Sequence, residues 1–348
     1  MSFSAWATVE AAKAHEHYQT KLGPNQGRGV ASGWWVNAGG EATAHIVIQP
    51  DGRPALVTGR PDIGGSRASQ AMILAEELGI DVGDVKPMIG DTDSIGFNGV
   101  TGGSSVAYAA GLAVHEATQK LIEVLRERAA LIWDVDASKV EWRDGAAHAK
   151  GQNSLTLREL AEQASATGGP LAADANVNAQ GAAAAFGTHI CDVEVDPETG
   201  KVDVIRYTVC QDAGRAIHRA YVEGQFQGGA AQGIGWALNE EYIYNQDGVM
   251  ENAGFLDYRM PVALDLPMIE AVVVEVPNPK HPYGIRGVGE NGIVAPLAAV
   301  ANAIADATGV RLYSVPMSPP KVQAAIAAHA NRHVGGASQK EEPTPVGA

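Results

Sequence analysis

Tyr283-Gly284-Ile285-Arg286-Gly287-Val288-Gly289-Glu290-Asn291-Gly292 is a loop in which four glycines surround a single carboxylate. Glycine tolerates positive φ and lets a backbone approach a bulky ligand, so Glu290 reads as an acid carried on a tight turn and aimed at something held close by. A surface loop with a solvated glutamate is the plainer reading of the same spacing. The adjoining segment favours a cleft: residues 293–304 form an apolar, alanine-rich helix with Asn291 or Gly292 near its start. A buried helix that begins beside an acidic loop belongs with a pocket.

Composition narrows the partners. At 348 residues the chain can bury a large core as one large or two smaller domains. A net charge of -15 argues against nucleic acid and anionic membrane, which require basic surface. No apolar run of about 18 residues occurs, and no basic segment precedes an apolar one at the start, so neither membrane insertion nor a signal peptide is expected. Two cysteines, Cys191 and Cys210, suit a reducing, cytoplasmic compartment and are too few for an iron–sulfur cluster. Glycine is abundant, 41 residues, and is concentrated in a few loops, as a cofactor cradle would require.

Residues 1–26 read as an amphipathic arm, broken at Gly23-Pro24, that packs on a partner. Residues 29–36, 42–48 and 55–58 alternate as strands of an antiparallel meander. The run Asp62-Ile63-Gly64-Gly65-Ser66-Arg67 then leads to a helix over 69–78 capped by Gly79. Strand, glycine loop and helix together can hold an anion on the N–H groups of Gly64, Gly65 and Ser66. Asp91 and Asp93 read as turn caps rather than a metal pair. Thr101-Gly102-Gly103-Ser104-Ser105 opens a helix over 106–130; Ser104 or Ser105 is a natural N-cap, and the same start can hold phosphate or a polar ring. Residues 164–184 read as a connection between two halves, and 187–195 and 202–210 as a hairpin on which His189 is a packed strand residue. Residues 221–238 form a helix whose small residues permit close contact with a ligand or with another backbone. The expected division is an arm (1–26), a first half (27–184), a second half carrying the glutamate (185–333) and a disordered tail (334–348). The fold class is α+β (mixed α/β), two subdomains of mixed sheets flanked by helices.

The Gly287-Val288-Gly289-Glu290 run resembles the glycine-valine-glycine-glutamate signature of the molybdenum hydroxylases, the xanthine dehydrogenase and aldehyde oxidase family. The resemblance runs in order from about residue 27 to residue 322 and covers only the second molybdenum-cofactor domain of that family's catalytic subunit. It implies that Glu290 is the active-site base of a hydroxylation whose oxygen comes from water. It implies that Gln232, in Gln232-Gly233-Ile234-Gly235, hydrogen-bonds an oxygen on molybdenum, with Gly233 beside it. Thr101, Gly102, Gly103 and Ser104 would hold the pterin, with further contacts from Gly64, Gly65, Ser66, Gly287, Val288 and Gly289. The family has glutamine at the position of Gly65, so a side-chain contact is missing there. No protein ligand to the metal is expected, because the pterin dithiolene holds it. The implied cofactor is molybdenum-molybdopterin, as the cytosine dinucleotide, with [2Fe-2S] and FAD on partner chains. A second molybdopterin-binding chain would complete the site for a small-molecule substrate, an electron-poor N-heteroaromatic or an aldehyde. A non-catalytic, cofactor-holding subunit is the alternative, and Gly65 favours it.

Overall fold

The structure is a computed structural model that describes residues 3–180 and 184–336. In chain order, α1 (Phe3–Ala14) and the short α2 (Glu16–Gln19) precede β1 (Gln26–Trp35), β2 (Gly40–Ile48) and β3 (Pro54–Thr58). Then α3 (Ser66–Leu78) leads to β4 (Lys86–Ile89), and one π-helical turn (Val106–Ala110) opens the long α4 (Gly111–Trp133). The chain continues through β5 (Glu141–Arg143), β6 (Ala146–His148), β7 (Leu155–Thr156), α5 (Leu157–Glu162), β8 (Ala172–Ala179), β9 (Ala185–Val195) and β10 (Val202–Asp212). The remainder is α6 (Arg219–Leu238), β11 (Ile269–Val274), α7 (Asn291–Val294), α8 (Pro296–Thr308) and α9 (Pro319–Gly336).

Two four-stranded mixed sheets carry the fold, in the orders β4-β3-β2-β8 and β1-β9-β10-β11. The first packs under α3 and α4, where Ile46, Leu56, Leu74, Leu121 and Leu125 are wholly or almost wholly removed from water. The second is covered on one face by α1 and on the other by α6 and α8, whose Phe226, Ile234, Val300 and Ile304 meet Val193 and Val209 of the sheet. Gly27 and Gly29 let α8 lie directly on β1, since a Cβ at Gly29 would be 1.9 Å from the Ala299 carbonyl oxygen.

Three local expectations change. The strands of residues 29–58 are not one meander: β1 leaves its sequence neighbours and pairs with β9 over ten residues, Gln26↔Glu194 to Trp35↔Ala185. Its partner is the edge of a hairpin with an open side, which local pattern cannot reveal. Most of the supposed connection 164–184 is likewise ordered, because β8 pairs with β2 along Gly40↔Ala179 to Val47↔Ala172. The Ala/Asn-rich strand has little β propensity of its own, and its neighbour supplies the order.

The N-terminal arm, expected against a partner, has one face packed on the second sheet of its own chain. Ser4 hydrogen-bonds Asp212, Thr8 meets Thr188 at 3.1 Å, and His17 Nδ1 lies 2.8 Å from Thr208 Oγ1. Arg28 grips Asp192 through Nε and Nη2 at 2.8 and 2.6 Å. The division between residues 184 and 185 therefore separates the sheets only with β1 assigned to the second. The tail is expected from residue 334, but α9 continues to Gly336, and the rest of the expected tail lies outside the described residues.

Candidate active site

A cleft of about 290 Å³ opens where the two halves meet. Its walls come from the 63–66 loop, the 101–107 turn, the start of α6 and the 285–290 loop. The last is anchored from behind. Asp212, fully buried at the end of β10, accepts N–H groups of Gly214 and Val276 at 2.9 Å each and pairs with Arg286 Nε at 3.0 Å. Arg286 also donates to the carbonyls of Val276 and Ala184.

Glu290 is held rather than solvated. Its Oε1 accepts the Gly103 N–H at 2.7 Å, Ser104 Oγ donates to Oε2, and the Glu290 N–H donates back to Ser104 Oγ at 2.9 Å. Gly103 and Ser104 adopt positive φ, +64° and +54°, which points successive donors at the carboxylate and is uncommon for serine. Arg60, 1% exposed, braces the same turn from beneath: it donates to the Val100 carbonyl, to Ser105 Oγ and to the Glu41 carbonyl. Burial pulls the Arg60 pKa down. A carboxylate has acceptor sites beyond the two used here, so Glu290 can still receive a proton.

This arrangement revises the role of Ser104. Its hydroxyl is committed to Glu290, and neither Ser104 nor Ser105 caps the following helix with its side chain, since Ser105 Oγ turns back to the Gly102 carbonyl at 2.8 Å. Thr101 and Gly102 line the cleft, and Thr101 Oγ1 is a buried atom with no protein partner. A polar ligand lying in the cleft would find that hydroxyl available, so the donors present fit a pterin-like group.

The backbone N–H groups of the glycine loop, expected to face an anion, are engaged by a carboxylate of the same loop. Asp62 Oδ1 accepts the N–H groups of Gly64, Gly65 and Ser66 at 3.1, 2.7 and 2.9 Å, and Oδ2 accepts from Arg67 Nε at 3.1 Å. Partial burial opposes ionisation, but these donors outweigh it and hold the Asp62 carboxyl well below the usual carboxylate range. Gly64, Gly65 and Ser66 still line the cleft. The smallness of the two glycines has a plain cause: a Cβ on Gly64 would lie 2.1 Å from Gln225 Nε2, and one on Gly65 would lie 2.3 Å from Tyr221 Cγ. The Tyr221 ring, stacked on His218 with centroids 4.0 Å apart, covers the space into which a longer residue 65 would extend.

Asp62 gives a stability prediction. A depressed folded-state pKa contributes stability that is complete above about pH 4 and fades as pH falls below it. Asp62→Ala should cost about 1–2 kcal/mol at pH 7. The difference in thermal midpoint from wild type should shrink at pH 3; an equal gap at both values would show that the carboxylate charge is not what the loop uses.

Gln232 and Gly233 are not at the cleft. Gln232 is exposed on α6, and Gly233 is a packing residue: a Cβ there would be 2.6 Å from Pro296 Cβ. The α6 glutamine that lines the cleft is Gln225, seven residues nearer the N-terminus and about 10 Å along the axis. Both follow the same helical face, and both neighbour glycines, so sequence pattern could not choose between them. Arg215, His218 and Tyr221 also line the cleft and were not anticipated. Gly287, Val288 and Gly289 do line it. Asp91 caps its own turn, accepting the Asp93 N–H at 2.8 Å. Among the described residues no group of three His, Cys, Asp or Glu side chains could hold a metal ion, and no helix is long and apolar enough to cross a membrane.

Comparison with known proteins agrees with the fold. Residues 2–267 match the molybdopterin cofactor-binding domain family. The chain is 32% identical over 296 residues to the 6-hydroxypseudooxynicotine dehydrogenase complex subunit gamma of Paenarthrobacter nicotinovorans, covering 80% of this chain and 37% of that one. It is 32% identical over 290 residues to a putative xanthine dehydrogenase molybdenum-binding subunit of Escherichia coli K12, covering 81% and 39%. Quinoline 2-oxidoreductase from Pseudomonas putida 86 superposes with a TM-score of 0.79 at 27% identity, over 92% of this chain and 44% of that one. A Cu,Mo-CO dehydrogenase superposes with a TM-score of 0.78 at 25% identity, over 94% and 44%. The chain thus spans about two fifths of the length of the curated relatives it matches. It belongs to the molybdopterin cofactor-binding family, with a mixed α/β fold shared with the molybdenum-binding subunits of these oxidoreductases.

Proposed function

We propose that this chain is the glutamate-bearing part of the molybdopterin-binding subunit of a multi-subunit molybdenum hydroxylase. The observation that carries the reading is Glu290, clamped at the cleft by Gly103 and Ser104 on a loop anchored through Arg286 and Asp212. Glu290 accepts the proton of the water-derived nucleophile at a carboxylate oxygen whose orientation the two donors fix. The cofactor, when bound, supplies the redox metal that the protein itself lacks. Thr101 and Gly102 would hold it, with Gly287 and Val288 opposite, and Tyr221 and Gln225 closing the α6 side. The cytosine dinucleotide form and the [2Fe-2S] and FAD partners belong to the same reading. A cytoplasmic location agrees with the buried free thiols Cys191 and Cys210.

Substrates are electron-poor N-heteroaromatics first and aldehydes second. The names of the pseudooxynicotine, xanthine and quinoline relatives support the first, and the aldehyde oxidoreductases among the relatives support the second. A second molybdopterin-binding chain would complete the site. The segment leading into β11 supports this, because Phe255, Leu256, Leu264 and Met268 are at least 85% exposed and form a surface unsuited to water. Co-expressed with its partners, the chain should carry molybdenum, whereas expressed alone it should carry little. Metal analysis of both preparations checks this, and a monodisperse, fully loaded isolated chain would refute the need for a partner.

A non-catalytic, cofactor-holding subunit remains the second reading. Gly65 favours it, as does the engagement of the 64–66 N–H groups by Asp62.

A further inference from the structure

Behind the Glu290 loop lies a second polar cluster, turned away from the cleft. Asn291, the residue after the carboxylate, is 1% exposed. Its side chain reaches the face of the second sheet on which His189 of β9 and Gln211 of β10 are fully buried. The three converge on Gly187, which pairs with Gln211 across the β9–β10 ladder. A Cβ on Gly187 would lie 3.4 Å from Asn291 Nδ2, 3.4 Å from His189 Nε2 and 3.5 Å from Gln211 Cγ. These are ordinary contact distances, and they bring the Asn291 amide and the His189 imidazole together over the same Cα.

Beside the Gln211 Cγ methylene, this spot is surrounded by unused hydrogen-bonding capacity. Both amide atoms of Asn291, both of Gln211 and Nε2 of His189 are buried without a protein partner. His189 Nδ1 is already engaged by the Tyr207 hydroxyl at 2.9 Å. Buried polar groups in native proteins are almost always paired, through ordered water where protein groups do not reach. Two carboxamides and an imidazole offer donors and acceptors in balance and no carboxylate, which suits a neutral ligand. We infer that Gly187, His189, Gln211 and Asn291 form an internal water-binding site, and that its water ties Asn291 to β9 and β10 and thereby fixes the backbone from which Glu290 projects. The first half of this inference is independent of the proposed reaction; the second rests on Glu290 acting as the base.

Substitutions at two positions in the full chain, purified with its partners, test the halves separately. Gln211→Leu keeps the volume and removes two of the polar atoms. If water bridges the cluster, the variant strands Asn291 and His189 and lowers the thermal midpoint by about 2 °C or more. If the amide is simply unpaired, the same change removes a buried liability, and a raised midpoint would overturn the water site. Gly187→Ala puts a methyl between the Cα and the inferred water, crowding it out, and should lower kcat several-fold at unchanged KM and molybdenum content. Gly187→Ser supplies a hydroxyl in the same place and should restore most of the rate, which a purely steric defect would not allow. Equal kcat for wild type and Gly187→Ala, or no recovery in Gly187→Ser, would overturn the positioning role. The sign of the Gln211→Leu shift stands whatever the reaction is, so failure of the water site and failure of Glu290 as the base are distinguishable.

Discussion

Glu290→Gln is expected to slow hydroxylation by about 10²–10⁴-fold, the range for loss of a general base. The substitution is conservative in this setting. A glutamine side chain still offers one oxygen to the Gly103 N–H, and the Ser104 hydroxyl can rotate to accept from the new amide while keeping the bond from the residue 290 N–H. The loop should therefore keep its shape, and molybdenum content should stay near wild type, because Glu290 contacts the 103–104 turn rather than anchoring a ligand. What is lost is the ability to take a proton. The informative measurement is anaerobic, single-turnover reduction of the bound metal centre by substrate, which separates the hydroxylation step from electron transfer through partner chains. Reduction at the wild-type rate with full metal occupancy would remove Glu290 from the chemistry and leave the cofactor-holding reading as the better one.

How much was legible beforehand depends on whether the information was local. The Gly79 cap of α3, in the left-handed conformation, and the Asp196 turn between β9 and β10 were readable because each is fixed by a few adjacent residues. The glycine-flanked Glu290 was readable for the same reason. What was not readable depends on residues far apart in sequence. Nothing in residues 26–35 says that β1 joins β9, and nothing in the Ala/Asn-rich 172–179 says that it becomes an edge strand. At the site, the 64–66 loop has the composition of an anion cradle, yet the anion is Asp62 of the same loop. A carboxylate two residues before a glycine pair was the available signal, since Asp readily caps the N–H groups just after it. Gln225 and Gln232 share a helical face, so only the tertiary position of the N-terminal end of α6 decides which one reaches the cleft.

Gly287→Ala should be as damaging as loss of the carboxylate, for a different reason. A Cβ on Gly287 would lie 1.8 Å from the Ser104 carbonyl oxygen and 2.7 Å from Ser104 Cβ. The first of these is backbone, in a turn held by Arg60 from below and set at positive φ through Gly103 and Ser104, so it cannot give way alone. The two loops must separate by about 1 Å or more, and the bonds that Gly103 and Ser104 make to Glu290 lengthen together. A displacement of that size typically costs about 10²-fold in rate. The overpacking itself should cost about 1–3 kcal/mol of stability. Gly289 supplies the comparison two residues on: there a Cβ would be 3.4 Å from Ser104 Oγ and 3.9 Å from Gln225 Oε1, which is ordinary contact. Gly289→Ala should therefore lose at most a few-fold in rate, with little change in thermal midpoint. Measured side by side in the partner-bound protein, with metal content as the control, the two variants separate close approach from general loop flexibility. Equal losses would mean that the loop needs glycine for its conformational freedom, and the contact between Gly287 and Ser104 would not be what holds Glu290 at the cleft.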